Sequence, residues 1–388
     1  MTHQTDDNVL SQVYEVLAEA GFAGLAEALT LLLNEIMRLE RSQHLRAQPY
    51  ERTDQRRGYA NGYKAKRVRT RVGELALAVP QVREGDFYPS SLEKGLRSER
   101  ALKLALAEMY VQGVSTRKLQ QITEELCGFS VSSSDVSRAA QTLDEELAAW
   151  RTRPLGAYRY VFLDARYEHV RHGGGVVSLA VLVATGVREK EGKREVLGCS
   201  VSLSEQEVHW RTFLQDLKRR GLHGVRLFVS DAHEGLKQAR TAVFPAVPWQ
   251  RCQTHLQHNA QNYVPRQALR AEVAADIRAI FNSPDRSDAQ DHLQRLLDKY
   301  AKTAPALVDW AEQNLAEGLT VFAFPEAHRR RLRTTNMVER LHKEVKRRTN
   351  VATLFPNEAS CLRLVSSVLM ETSQEWVTGK VYLRLQDE

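Results

Sequence analysis

From Tyr158 onward the apolar residues stop recurring at helical spacing and gather into short unbroken runs, and this change limits the possible folds more than any other feature. Tyr158 to Leu163, Val176 to Val187 and Arg194 to Leu203 read as strands. An amphipathic helix, Glu205 to Gly221, comes next, then strand Val225 to Val229, helix Glu234 to Val243, a short run Val247 to Gln250 and a helix from about Cys252. Three strands followed by alternating helix and strand predict an α/β layer, the first three strands forming a meander and the later ones added by crossovers. Pro265 to about Leu319 is helical in pattern and predicts an inserted helical subdomain.

Before Tyr158 the pattern is mainly helical. Val9 to Arg46 has helical periodicity broken at Gly21 and Gly24. Glu51 to Lys66, rich in Arg, Gly, Asn and Tyr, predicts a loop lying along a phosphate backbone. Arg67 to Val82 alternates like a strand, and a small hairpin is compatible with it. Between Glu99 and Trp150 two helices are expected. The first is capped by Ser115, carries an apolar face of Leu119, Ile122 and Leu126, and breaks at Gly128. The second is capped by Ser132, Ser133 or Ser134, turns Val136, Ala140, Leu143 and Leu147 inward, and presents Asp135, Ser137 and Arg138 outward. This is the outline of a helix-turn-helix, and equally of an ordinary helical hairpin.

At 388 residues one core does not suffice. The expected division is 1–98, helical and basic; 99–153, helix-turn-helix-like; 154–263 with 321–388, the α/β domain; and 264–320, the helical insertion. The formal charge of +7 is unevenly placed. Arg38 to Arg83 holds twelve Lys or Arg against four Asp or Glu, and Ala327 to Thr349 holds nine against two, so +8 and +7 leave the remainder at −8. Segregation of this kind fits docking of a polyanion, although two solvated helix faces would give the same count. Cys127, Cys199, Cys252 and Cys361 have no framework spacing, which fits a reducing compartment. The N-terminus carries Asp6 and Asp7 where a signal peptide would be basic, and the apolar stretch Ser178 to Val187 is too short to span a bilayer. No membrane association is expected.

Three acids carry the chemistry. Asp164 and Asp231 each follow an apolar strand run, and Glu339 opens a helix crowded with cations. Carboxylates from separate elements can hold Mg²⁺ between protein and a bridging phosphate. Each acid also has a plain reading: a strand-end Asp caps turns, and Asn336 to Glu339 matches a capping box. On that helix Val338, Leu341 and Val345 form the buried stripe, and Glu339, Lys343 and Arg347 share a face. Glu344 lies about 140° around the helix from Glu339, so the two cannot face the same aspartates. Cys252 and His255 resemble half a zinc site, but no second pair accompanies them and a structural zinc needs four ligands. No zinc is expected.

Several stretches resemble the Mutator-type transposases of bacterial insertion sequences, members of the DDE superfamily with a ribonuclease-H-like catalytic core. They are RRGYANGYKAKRVRTRVGELALAVPQVREGDFYPS, YVQGVSTRKLQQITEELCG with VSSSDVSR, FLDARYEHVR, EVLG, SDAHEGLKQA, WQRCQTHLQHN and TTNMVERLHKEVKRRTNVATLFPN. The resemblance covers most of the chain. It implies a ribonuclease-H-like mixed sheet with a helical insertion, preceded by a mainly helical DNA-binding region. Asp164, Asp231 and Glu339 would be the catalytic triad, holding Mg²⁺ or alternatively Mn²⁺, and Cys252 and His255 the family's C-x-x-H signature. His258 departs from the Lys or Arg usual at that position. The implied reaction is cleavage at terminal inverted repeats followed by attack of the freed 3′-OH on another phosphodiester, within a dimer or larger synaptic complex on double-stranded DNA in the bacterial cytoplasm. The residues expected to touch DNA are Arg56, Arg57, Lys64, Lys66, Arg67, Arg117, Lys118, Ser134, Arg138, Lys343 and Arg347. A hydrolytic nuclease of the same fold, or a non-catalytic DNA-binding derivative, stand as alternatives.

Overall fold

The N-terminal periodicity becomes two helices, α1 (Asp6–Ala20) and α2 (Leu25–Leu45), separated by a 3-10 turn at Gly21–Gly24. Gly21 adopts φ +56°, and a Cβ at Gly24 would come within 2.8 Å of Val16 Cγ1, so both glycines are required where the chain turns. The computed structural model describes residues 6–83, 85–95, 97–350 and 354–385. Its chain divides into two units, Met1–Leu143 and Asp144–Glu388. The stretch Val9–Leu45 is long and apolar enough, by length and composition, to cross a membrane, and only 11% of its most apolar window is buried. The sequence reading, which rested on residues 178–187, passed over it.

In the first unit Met37 of α2 packs on a hairpin of β1 (Ala60–Thr70) and β2 (Gly73–Val82), with Val68, Leu75, Leu77 and Val79 inside. This corrects one expectation and bears out the small hairpin. Residues 60–66 are strand rather than loop, and 67–82 is two strands around a turn at residues 71–72. The first half of β1 is exposed on both faces, so its composition carries no alternation to read. Helices α3 (Arg100–Val111), α4 (Thr116–Cys127) and α5 (Ser133–Gln141) bury Leu102, Leu106, Leu119, Val131, Val136 and Ala139 together. The Ser115 hydroxyl accepts from the Lys118 N–H, and α4 ends on Gly128 at φ 70°. Ser132 caps α5 in a capping box with Asp135. The expected second helix is split, because α5 ends at Gln141 and α6 (Asp144–Thr152), which carries buried Leu147, belongs to the second unit.

The second unit is built on a five-stranded mixed sheet in the order β5-β4-β3-β6-β7. Its strands are β3 (Tyr158–His172), β4 (Gly175–Arg188), β5 (Arg194–Ser202), β6 (Leu227–Ser230) and β7 (Trp249–Arg251). The first three form the expected antiparallel meander, while β6 and β7 run parallel to β3. Helices α7 (Glu207–Arg219) and α8 (Glu234–Val243) cover one face, packing Trp210, Leu214, Leu217, Leu236 and Ala239 against Val161, Leu163, Leu182 and Phe228. Helix α15 (Glu358–Thr378) packs against β3 and β5.

After α9 (Gln253–Ala260) come the inserted helices α10 (Arg270–Phe281), α11 (Arg286–Tyr300) and α12 (Pro305–Asn314). The insertion is anchored to β7: Arg251 pairs with Glu317 at 2.9 Å, and the buried Gln250 side chain donates to the Gly318 carbonyl at 2.8 Å. Helices α13 (Glu326–Leu332) and α14 (Asn336–Thr349) then return the chain to the sheet.

Candidate active site

Strand register brings the two aspartates to one edge. Phe162 of β3 sits opposite Val229 of β6, the last pair of that parallel ladder, and Asp164 and Asp231 each lie two residues beyond it. Asp164 is not at a strand end as expected. Strand β3 continues to His172 because β4 still pairs with it, but β6 has stopped, leaving the Asp164 side of β3 open. Asp231 Oδ1 accepts the His233 N–H at 3.3 Å, holding the carboxylate at the entrance to α8. On the next strand Ser230 pairs with Arg251, so Cys252 emerges beside Asp231.

Glu339 is not engaged in a capping box. The N-cap of α14 is Thr335, whose side chain makes no cap hydrogen bond, and Asn336 is already helical. Thr335 is fully buried, and its Oγ1 lies 3.4 Å from Glu339 Oε1 and 3.3 Å from Cys252 Sγ, while its N–H also donates to that sulfur. Glu344 is occupied elsewhere, pairing with Arg347 at 2.7 Å and Arg348 at 3.0 Å. Val338, Leu341 and Val345 form the buried stripe as expected. Two contacts strap α14 to β3: Arg166 Nη1 donates to the His342 carbonyl at 2.5 Å, and Thr349 Oγ1 donates to Glu168 at 3.1 Å. His342, one turn after Glu339, places Nε2 3.4 Å from Asp164 Oδ2.

Ligand-capable atoms of Cys252, His255 and Glu339 lie within 4.8 Å of one another. Contact with Cys252 raises the His255 ring pKa to about 9 against the opposing effect of burial, and the negative charge of Cys252, Asp164 and Asp231 adds to the rise. Burial pushes the Cys252 thiol up, but His255 and Thr335 outweigh it and leave its pKa below the ordinary value.

Sequence reasoning missed Glu205. Burial raises its pKa, and among the neighbouring charges Asp231 and Asp164 raise it further while His233 and Tyr167 lower it. Only the chain's return at Gly235, where a Cβ would meet the Glu205 carbonyl at 2.5 Å, puts this loop next to Asp231, and no local motif encodes that approach. The surplus of carboxylates over cations at this edge, all hard oxygen donors, fits a divalent cation such as Mg²⁺. Cys252 and His255 with Glu339 are one ligand short of a structural zinc set.

The expected DNA-contacting cations are divided between the units. Lys64, Lys66, Arg67 and Arg138 line one cleft of about 1310 Å³ between the hairpin and α3 and α5. Within it Arg67 pairs with Glu74 at 3.3 Å, Arg138 with Asp135 at 2.5 Å, and Lys66 bonds Tyr88 at 2.9 Å. Arg56 is held by the Gln48 and Glu51 carbonyls. Arg57, Arg117, Lys118 and Ser134 are exposed, and neither Lys64 nor Lys343 forms an ion pair among the described residues. Arg347 is tied to Glu344.

These features define an α/β protein with an acidic, cation-ready site at the edge of a mixed sheet and a separate basic helical unit. The family described as transposase, Mutator family, matches residues 1–379. A transposase for insertion sequence element IS406 from Burkholderia multivorans is 57% identical over 99% of both chains. The ISRM5 transposase of Rhizobium meliloti is 42% identical over 94% of this chain and 91% of its own length, and that of IS256 in transposon Tn4001 from Staphylococcus aureus 38% identical over 90% of each. The chain belongs to the Mutator family of transposases. Among solved structures, a chain of the Drosophila P element transposase strand transfer complex aligns over 75% of this chain and 94% of its own with a TM-score of 0.41 at 11% identity, too loose a match to carry a conclusion.

Proposed function

We propose that this chain is the transposase of a bacterial insertion sequence, cutting DNA at the element's terminal inverted repeats and joining the freed 3′-OH to target DNA. Its second unit acts as a ribonuclease-H-like catalytic domain with Asp164, Asp231 and Glu339 as the DDE triad. The observation that carries this reading is the β3–β6 register, which sets both aspartates two residues past the last ladder pair, with the Glu339 helix strapped to the same strand. Mg²⁺, when bound by these carboxylates, would supply Lewis-acid stabilisation of charge on the phosphate oxygens. Thr335 and Cys252 orient Glu339. His255, its pKa raised to about 9, offsets part of the carboxylate charge, and His342 Nε2 lies 3.4 Å from Asp164 Oδ2.

The first unit supplies end recognition, through the hairpin cleft and the outward residues of α4 and α5. Holding two ends requires a dimer or larger assembly. Such an enzyme works on chromosomal DNA in the bacterial cytoplasm.

The test uses a labelled terminal-repeat duplex, a target plasmid and Mg²⁺. Wild type should nick the repeat end and join it to the plasmid. Asp164→Ala, Asp231→Ala and Glu339→Gln should lose both reactions and still bind the duplex in EDTA. Cleavage by Asp164→Ala at the wild-type rate would remove the triad assignment, and cleavage without joining would favour the hydrolytic nuclease.

A further inference from the structure

A second basic feature lies in the second unit, where α9, α10, α13, α14 and the segment after α15 line a cavity of about 680 Å³. Six arginines line it, Arg194, Arg278, Arg330, Arg331, Arg333 and Arg340, together with Lys380, and no Asp or Glu does. None of these seven side chains forms an ion pair among the described residues; Arg333 bonds only the Asn282 amide oxygen, at 2.8 Å. Arg194 and Arg331 both stack on the Tyr382 ring at 4.9 Å, and Arg194 also on Trp376 at 4.5 Å. Burial lowers the Arg194 pKa, Tyr382 opposes this, and Arg331 and Arg340 lower it further. Seven cations around an open cleft focus a positive potential that attracts an anion.

We infer that this cavity binds the phosphodiester backbone of a single DNA strand. The inference rests on the transposase reading and adds to it a second contact site and the form of the strand held there. The volume lies within the roughly 300–1,000 Å³ of small-ligand clefts, room for a few nucleotides of one strand. The cavity shares two helices with the acidic edge but uses other faces of them: Arg340, with Asn336 and Met337, lines it from α14, about 100° around that helix from Glu339, and Gln253, Thr254 and Gln257 line it from the helix that follows Cys252.

Fluorescence anisotropy in EDTA tests this with two labelled DNAs of one terminal-repeat sequence, blunt or carrying a single-stranded 3′ extension. The variant is Arg278→Ala/Arg331→Ala/Arg340→Ala, three exposed side chains whose loss leaves the core intact. Affinity for the extended DNA should fall at least about tenfold, and the slope of log affinity against log salt should flatten by about 2, the loss of three single-strand phosphate contacts at about 0.7 each. Blunt-duplex affinity should change by less than about twofold, and the triple Lys variant should recover most of the loss. Equal affinity and slope in wild type and variant would overturn the inference. So would thermal protection of wild type alone by inorganic pyrophosphate with no change in DNA binding, which would assign the cavity to a free phosphate ligand. Glu339→Gln separates the two readings, since it should lose cleavage and keep the wild-type salt slope.

Discussion

Thr335 shows how a single side chain prepares the acidic edge. Its one hydroxyl proton is shared between Glu339 and the Cys252 sulfur, and its backbone N–H also reaches that sulfur, so helix α14 and the end of β7 are joined through one buried residue. A neutral hydrogen bond contributes about 1 kcal/mol, so Thr335→Val should slow cleavage about fivefold in a single-turnover assay. DNA affinity should be unchanged and Thr335→Ser should restore the rate; a Val variant as fast as wild type would show that Glu339 needs no such support. The two glutamates of α14 give a second test at this scale. Glu339→Gln should abolish cleavage, whereas Glu344→Gln, whose amide still faces Arg347 and Arg348, should stay within about twofold of wild type. That Glu339 and Glu344 point different ways was legible from helical geometry, but the freedom of Glu339 from the capping box was not, because that depends on Thr335, the N-cap, being packed against Cys252.

At the scale of elements, legibility followed how local the determinants are. The caps of α4 and α5 are set by Ser115, Gly128 and Ser132 within a few residues of each helix, and they were readable. Asp135 was expected to point outward toward a groove. It is instead bound by the Ser132 N–H, Arg138 and the Ser132 hydroxyl, with Arg69 adding attraction, and these outweigh the opposing effect of partial burial to hold its pKa at about 2. Because this pKa is depressed from 3.8, the stabilisation is present above about pH 4 and is lost as pH falls through about 2. Asp135→Ala should therefore cost about 1 kcal/mol in urea denaturation followed by circular dichroism at pH 7, with the deficit shrinking between pH 4 and pH 2. A deficit constant across that range would place the effect outside the carboxylate's charge. The hairpin was harder to read, since β1 extends beyond its core and alternates only where Val68 and Thr70 turn inward.

For the whole molecule, the second unit is closed by a polar cluster at the far end of the sheet from the acids. Glu195 of β5, only 5% exposed, receives Arg153 at 2.9 Å, Arg188 at 2.6 Å and the Tyr158 hydroxyl at 2.5 Å, which ties the entry segment to three strands. Its pKa is lowered because these partners overcome the burial that would raise it. Removing Glu195 leaves two partly exposed arginines without their shared counter-ion and the buried Tyr158 hydroxyl without its acceptor, so Glu195→Ala should destabilise this unit by about 1–3 kcal/mol. Tryptophan fluorescence reads it selectively, because Trp150, Trp210, Trp249, Trp310 and Trp376 all lie after residue 143. An unchanged fluorescence midpoint in urea would show that the cluster contributes little.

The meander, the two crossovers, the helical insertion and the strand runs preceding Asp164 and Asp231 follow from periodicity alone, because apolar spacing along one segment reports how that segment is buried. What only the tertiary structure decided are the relations between segments: the register that aligns the two aspartates, the Gly235 approach that adds Glu205, and the gathering of arginines from α10, α13 and α14 with Tyr382 around one cavity. Each depends on residues tens to nearly two hundred positions apart meeting in space, and no local pattern carries information about such a meeting.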